Sequence, residues 1–311
     1  GSELVDFLLK KYHVTVYDIF IYGDTLTANK NLIKIKGDIR DINKLKSIVK
    51  NFDYVIHLAC ISNDPSFDLN PELGKSINFD PFEELVKICK DSGTRRFVYA
   101  SSSSVYGIKS EPNVNENFSL EPLTDYSKFK AMCEEILIKY TDKNFIGTII
   151  RPATVCGFSK RQRLDLVVNI LTNLAYHKGE ISVFGGDQLR PNINIKDMCL
   201  SYIKVLETDE NLVKGEIFNV GFENYSVKYL ANLVREVVNK DVNIKIVTSN
   251  DDRSYHISSN KIKKTIGFDI NYSIKDAIKD LTNAFNKKVL DNPLDNEMYF
   301  NIKRMKSLNL K

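Results

Sequence analysis

Residues 101–104 are four consecutive serines, Ser101 to Ser104, and Val105-Tyr106-Gly107 follow them. Further on, Tyr126 and Lys130 lie four apart in residues 125–140, whose pattern predicts a helix. That spacing puts both side chains on one helical face. A phenol with a pKa near 10 is a poor base at neutral pH, and a nearby ammonium favours the phenolate and lowers that value. A serine hydroxyl from a strand end could steady a developing alkoxide or carbonyl oxygen. Together they form a workable site for moving a proton on and off a sugar or alcohol hydroxyl while hydride leaves carbon. A bland use stands beside this one. Tyr and Lys four apart recur by chance on helices in a chain with 15 tyrosines, and a serine run commonly forms a loop or cap.

The apolar run Phe97-Val98-Tyr99-Ala100 predicts the strand that delivers the serines. Leu4, Val5, Leu8 and Leu9 recur at helical spacing near the start. Strands are expected at residues 13–18, 32–36, 53–59 and 145–151, with helices at 41–50 and 79–89. The continuous apolar run at 53–59 suits an interior parallel strand. Asn63-Asp64-Pro65 and Asn70-Pro71 mark a loop. This alternation predicts an α/β fold, a Rossmann-like parallel sheet with helices on both faces. Right-handed crossovers then bring Asp18, Asp38, Ala59, Ser101 and Ser102 to one sheet edge. An acid ending a strand, as Asp18 does, takes ribose hydroxyls in dinucleotide sites about 20 residues after a glycine turn. Asp18 lies 17 residues past Gly1, with no glycine-rich turn visible.

Beyond Gly157 the elements become shorter and less regular. Helices are expected at 166–177, 196–208, 229–239 and 275–286, and strands at 181–184, 190–195, 217–220 and 243–247. The expected division is a sheet domain at 1–157, carrying the Tyr126 helix, and a smaller region at 158–311 that mainly binds substrate, some of its segments returning to the sheet. The polar tail after Asn292 reads as an arm. Arg161, Arg163, Arg190 and Arg253 lie in or beside loops. A lone arginine in such a place usually faces water or an acid; several together could clamp a diphosphate through their planar forks.

Length and composition narrow the classes. The chain has 311 residues, a net charge of +4 and 43% hydrophobic residues, which suit one large or two smaller domains. Charges of both signs are mixed, which disfavours nucleic-acid binding. The five cysteines are widely spaced and odd in number, and the four histidines form no ligand motif. Neither a disulfide scaffold nor a metal site is expected, and a reducing compartment is. With no signal peptide and no apolar run of spanning length, a cytoplasmic protein without a membrane partner is expected. The sequence opens with Gly1-Ser2 and has no initiator Met.

The chain resembles the extended short-chain dehydrogenase/reductase family in its nucleotide-sugar epimerase/dehydratase branch. The residues that carry the likeness are Gly1, Asp18, Gly37-Asp38-Ile39, His57-Leu58-Ala59, Ser101-Ser102, Val105-Tyr106-Gly107, Tyr126-Ser127-Lys128-Phe129-Lys130, Arg151-Pro152 and Arg190 through Asp197. The resemblance implies that Tyr126 is the acid/base, that Lys130 lowers its pKa and holds the nicotinamide ribose, and that Ser102 is the hydroxyl partner. It implies NAD rather than NADP, with Asp18 on the adenosine ribose, Asp38 and Ile39 beside the adenine, Leu58, Ala59 and Ser101 along the cofactor, and Pro152 at the nicotinamide. It assigns Arg190 and Arg253 to the diphosphate of a nucleoside-diphosphate sugar, and Ser103, Thr154, Arg163 and Asn192 to the substrate pocket. Asn194 stands where His is common. The family often dimerises through helices matching residues 79–91 and 125–140, so a homodimer is expected. Gly1 matches the last glycine of the family's glycine-rich loop. The resemblance therefore implies a longer natural protein, and a chain that as written would bind NAD poorly and fold less well for want of a central strand.

Two departures bear on the reaction. Dehydratases of this branch carry an Asp-Glu pair after the hydroxyl residue, and here Ser103 and Ser104 stand there, which argues against water elimination. Thr154 replaces an Asn common in epimerases, so a standard UDP-galactose substrate is unsafe. The segment Arg161-Gln162-Arg163-Leu164-Asp165-Leu166 resembles a bacterial subgroup acting on less common nucleotide sugars. The expected function is an NAD-dependent nucleotide-sugar 4-epimerase working by transient oxidation at C4 and hydride return. The alternatives are a net 4-dehydrogenase or 4-ketoreductase, and a non-catalytic NAD- or sugar-nucleotide-binding protein.

Overall fold

The computed structural model describes residues 1–311 except Asn51, Pro112, residues 249–253, Tyr255 and Lys311. The first half runs α1 (Ser2–Leu8), β1 (Val14–Asp18), β2 (Leu32–Lys36), α2 (Ile42–Ile48), β3 (Tyr54–His57), α3 (Asp64–Phe67), α4 (Pro71–Asn78), α5 (Phe82–Asp91), β4 (Arg96–Ala100), α6 (Asp125–Tyr140) and β5 (Ile146–Pro152). The second runs β6 (Thr154–Cys156), α7 (Val167–Lys178), β7 (Glu180–Phe184), β8 (Leu189–Asn194), α8 (Ile195–Glu207), β9 (Ile217–Val220), β10 (Glu223–Ser226), α9 (Val227–Val238), β11 (Asn243–Val247), α10 (Asn260–Ile266), α11 (Ile274–Asn286) and α12 (Asn301–Leu308).

The central sheet is parallel, in the order β3-β4-β5-β9. β1 and β2 form a separate parallel pair. Residue alternation along β4 explains why the sheet is covered on both faces. Phe97 and Tyr99 join an apolar cluster with Leu85 and Val86 of α5 and Leu137 of α6. Val98 points the other way, into a cluster with Met198, Tyr202 and Val205 of α8. Each fully buried large side chain contributes roughly 2 kcal/mol by leaving water. Across the sheet edge, β6 pairs in parallel with β8, and β10 pairs antiparallel with β8.

Several expectations need correction. Among the described residues β3 pairs only with β4, so it is an edge strand, and its first three residues are only partly buried or exposed. The stretch read as a loop after β3 holds two helices. The side chain of Asn63 caps α3 and that of Asn70 caps α4, each with a proline in the first turn. This is ordinary start chemistry for a helix. α5 begins at Phe82, with Pro81 at its N-cap. The tail is not a free arm, because α12 buries Asn301 and Met305 and packs on α3.

Candidate active site

α6 carries two buried stripes. One is apolar and includes Cys133 and Leu137, which belong to the cluster under α5. The other is Tyr126, Lys130 and Glu134, polar side chains four apart and all buried. The helix starts at a capping box: Thr124 accepts from the Ser127 N–H, and the Ser127 side chain accepts from the Thr124 N–H. That cap fixes where the polar stripe begins.

β4 ends beside this stripe. Ser101 is buried, and Ser102 starts a 3-10 turn, its Oγ accepting from the Ser104 N–H at 3.2 Å and lying 2.8 Å from the Ser104 Oγ. The turn closes at Gly107 with φ +67°, where an added Cβ would run into the Glu121 carbonyl oxygen, so glycine is required. Lys130 Nζ donates to the Ala100 carbonyl at 2.6 Å. It stands 4.9 Å from the Tyr99 ring centre and 5.9 Å from that of Tyr126.

Burial pushes the Tyr126 phenol above its ordinary value, with Cys60 and Asp64 acting in the same direction. The nearby Ser102 hydroxyl and the charge of Arg163 pull it back. The net lowering expected from Lys130 is therefore not realised here. Desolvation is the largest effect.

Tyr126 opens on a cavity of about 540 Å³, a size that suits a small-molecule ligand. Of the residues expected at the site, Gly1, Leu58, Ser101, Ser102, Ser103, Tyr126, Pro152, Thr154, Arg163 and Arg190 line it. The other described ones, Lys130 among them, stand back from its wall. Asp18 ends β1 exposed, with Oδ1 accepting from the Phe20 N–H at 2.6 Å. Arg40, paired with Asp38, holds that carboxyl below its usual range. Ile39 packs with the cluster under α5, and Ala59 is half-buried in the segment after β3. Asn192 is fully buried and donates to the Arg190 carbonyl at 2.7 Å. Asn194 caps α8. Arg253 lies outside the described residues.

One wall was only partly foreseen. The loop before α7 is held against α1, where the Arg161 N–H donates to Ser2 Oγ at 3.2 Å. The Arg161 guanidinium stacks 3.6 Å from the Tyr22 ring centre and donates to Asn301 Oδ1 at 2.7 Å. Burial, then repulsion from Arg163, lowers its pKa to about 10. Arg163 pairs with Asp165 at 2.9 Å and reaches Ser62 Oγ at 3.3 Å, while its Nη2 is buried without a partner. Asn301 also bonds Asp165 and Ser62. Asn63, at the cavity wall, is held at φ 77°, ψ 154°, a backbone region that favours glycine. The Asn63-Asp64-Pro65 turn was visible in the sequence, but no signal marked Asn301.

A parallel sheet whose strand ends present a serine run, a buried Tyr-Lys helix and a cavity defines an α/β protein of nucleotide-binding type. The chain belongs to the NAD dependent epimerase/dehydratase family, which it matches over residues 1–221. It is 30% identical over 298 residues to an uncharacterized UDP-glucose epimerase, YtcB, of Bacillus subtilis, covering 89% of this chain and 92% of that one. The structure of a UDP-glucuronic acid 4-epimerase from Bacillus cereus, in complex with UDP-glucuronic acid and NAD, aligns with TM-score 0.81 at 26% identity, covering 93% and 96% of the two chains. A UDP-N-acetylglucosamine 4-epimerase from Methanobrevibacter ruminantium aligns with TM-score 0.84 at 24% identity, covering 93% and 95%. Among the described residues no helix is long and apolar enough to cross a membrane, and no cluster of His, Cys, Asp or Glu is placed to hold a metal ion.

Proposed function

We propose that this protein is an NAD-dependent nucleotide-sugar 4-epimerase. The observation that carries the reading is Tyr126, a buried phenol that lines one cavity with Ser102 and stands one helical turn from Lys130. Ser103 and Ser104 line the same cavity. Neither offers the carboxylate that elimination beside a ketone requires. The names of the relatives, UDP-sugar epimerases, support the same class.

The residues fit a dinucleotide. Gly1 lines the cavity with open space beside it, Leu58 and Pro152 add apolar wall, and Asp18 stands exposed at the end of β1. NAD would be held by these with Asp38, Ile39, Ala59, Ser101, Tyr126 and Lys130. When bound, it supplies the hydride acceptor and return donor at C4. The chain's own part is proton transfer and placement. Tyr126 takes the proton of the sugar 4-hydroxyl at its phenolate oxygen and later returns it. Ser102 steadies the sugar oxygen. Ser103, Thr154, Arg163 and Arg190 hold the nucleoside-diphosphate sugar, with Arg253 on the diphosphate and Asn192 acting through Arg190.

The division into 1–157 and 158–311 belongs to this reading, with β9 returning from the second part to the sheet. So does a homodimer through α5 and α6, where Met132 and Ile138 are exposed. A cytoplasmic location suits the five free cysteines.

The test is to incubate the protein with NAD and a panel of UDP-, GDP-, dTDP- and CDP-sugars, reading product mass and sugar NMR. Unchanged mass with inversion at C4 is expected. Loss of two mass units with NADH release would make it a dehydrogenase. Loss of 18 would overturn the reading of Ser103 and Ser104. No change with any sugar would favour a non-catalytic binding protein.

A further inference from the structure

We propose that Glu134 and Arg151 are positioning residues for proton transfer, their buried ion pair setting where Ser102, Tyr126 and Lys130 stand. The proposal rests on the epimerase reading. Neither residue lines the cavity, so neither touches substrate.

The pair is 3% exposed at Glu134 and 2% at Arg151. Arg151 donates Nε to Glu134 Oε1 at 2.9 Å and Nη2 to Oε2 at 2.6 Å, a two-pronged contact. Glu134 Oε1 also accepts from the Ser101 hydroxyl. The third Arg151 nitrogen, Nη1, donates to Tyr106 OH at 2.7 Å, and the guanidinium lies 4.8 Å from that ring's centre. Tyr106 OH donates in turn to Asn219 Oδ1 at 2.7 Å. The Asn219 N–H donates to Glu116 at 2.7 Å.

Stability alone is a poor account of this arrangement. Well-packed apolar residues commonly stabilise as much as a buried ion pair, because the charges must leave water. What distinguishes the pair is its neighbours. Ser101 precedes Ser102, Arg151 precedes Pro152, and Glu134 lies one turn past Lys130 on the buried stripe of α6. Tyr106 ends the 3-10 turn that Ser102 begins. Lys130 binds the last carbonyl of β4. The pair thus ties the ends of β4 and β5 to α6, and holds the Ser102 turn from both sides. A neutral pair of similar volume would fill the space without fixing these directions.

The test compares Glu134→Gln, Arg151→Met and the double variant, using the full chain, NAD and the sugar nucleotide that the parent inverts. Each single variant leaves one buried group without its charged partner, and a lowered melting temperature is expected. The double variant removes both charges, and its melting temperature should recover toward the parent's. Its kcat should stay down by about 10- to 100-fold, the scale of a displacement of about 1 Å, with KM within about threefold. A double variant with parental kcat would overturn the proposal and leave the pair a structural cornerstone. Should the double variant not fold, Arg151→Lys keeps the charge and loses the fork. Reduced kcat at parental KM would then support positioning, and parental kcat would overturn it. A parent that inverts no sugar nucleotide defeats the epimerase reading separately. The Tyr126 signal of ¹³Cζ-tyrosine-labelled protein then decides, since a displaced site moves it in the folded variant and a merely structural pair leaves it in place.

Discussion

Tyr126 must give up its proton before it can take one, and its burial works against that. Arg163 and Ser102 oppose the burial, so each is coupled to the pH dependence of turnover. Below the phenol's pKa the phenolate fraction rises about tenfold per pH unit, so kcat should climb with pH. Arg163→Gln removes a charge that favours the phenolate. The rising limb should therefore move to higher pH, and an unmoved limb in a pH–rate profile would refute the coupling. Tyr126→Phe should lower kcat by about 10²- to 10⁴-fold while NAD titration still shows binding, weakened only by the loss of one hydroxyl contact. The Tyr-Lys pair was legible because helical spacing is local. The Arg161, Asp165, Ser62 and Asn301 wall was not, since Asn301 lies 140 residues from Arg161 and 239 from Ser62. The height of the Tyr126 pKa was also hidden, because it depends on desolvation by residues from several elements.

Elements followed the same division between local and distant causes. Apart from α3 and α4, the strand and helix alternation up to β5 could be read, since those elements carry their own apolar period. α3, α4, α10 and α12 are at most eight residues long, and β6 and β10 at most four. Such pieces are too short to be stable alone, and tertiary contacts hold them. The edge position of β3 was equally hidden, because an apolar run does not reveal which neighbours a strand has. α12 makes the case testable. Asn301 bonds Arg161, Asp165 and Ser62 from its first residue. Asn301→Ala should cost about 1–3 kcal/mol in urea denaturation, since the Arg161 guanidinium and the Ser62 hydroxyl lose partners. The KM for the sugar nucleotide should rise more than kcat falls, because the wall holding Arg163 loosens. Parental stability together with parental KM would mean that α12 contributes nothing to the site.

At the scale of the whole molecule, the buried titratable groups set a pH window for stability. His57 ends β3 and packs among Tyr99, Phe82 and Phe97, with ring centres 5.9, 5.5 and 6.2 Å away. Burial, and then the charge of Lys130, lowers its pKa from 6.5 to about 3. Between those values the unfolded chain binds a proton that the native protein does not. The native state is therefore fully favoured above pH 6.5 and loses stability as pH falls toward about 3, by about 1.4 kcal/mol per pH unit. The thiols of Cys89, Cys133 and Cys199 limit the other side. Burial raises each to about 12 from 9.0, so the native state keeps protons that the unfolded chain releases as pH rises above 9. The acid limb can be isolated with His57→Gln, which keeps a polar side chain and removes the titration. The variant should be less stable than the parent at pH 7, because an amide fits the aromatic cage less well. Its urea midpoint should then fall less steeply than the parent's between pH 6.5 and 4, so that the two curves converge. Parallel curves across that interval would mean that His57 is not the group whose protonation drives acid unfolding.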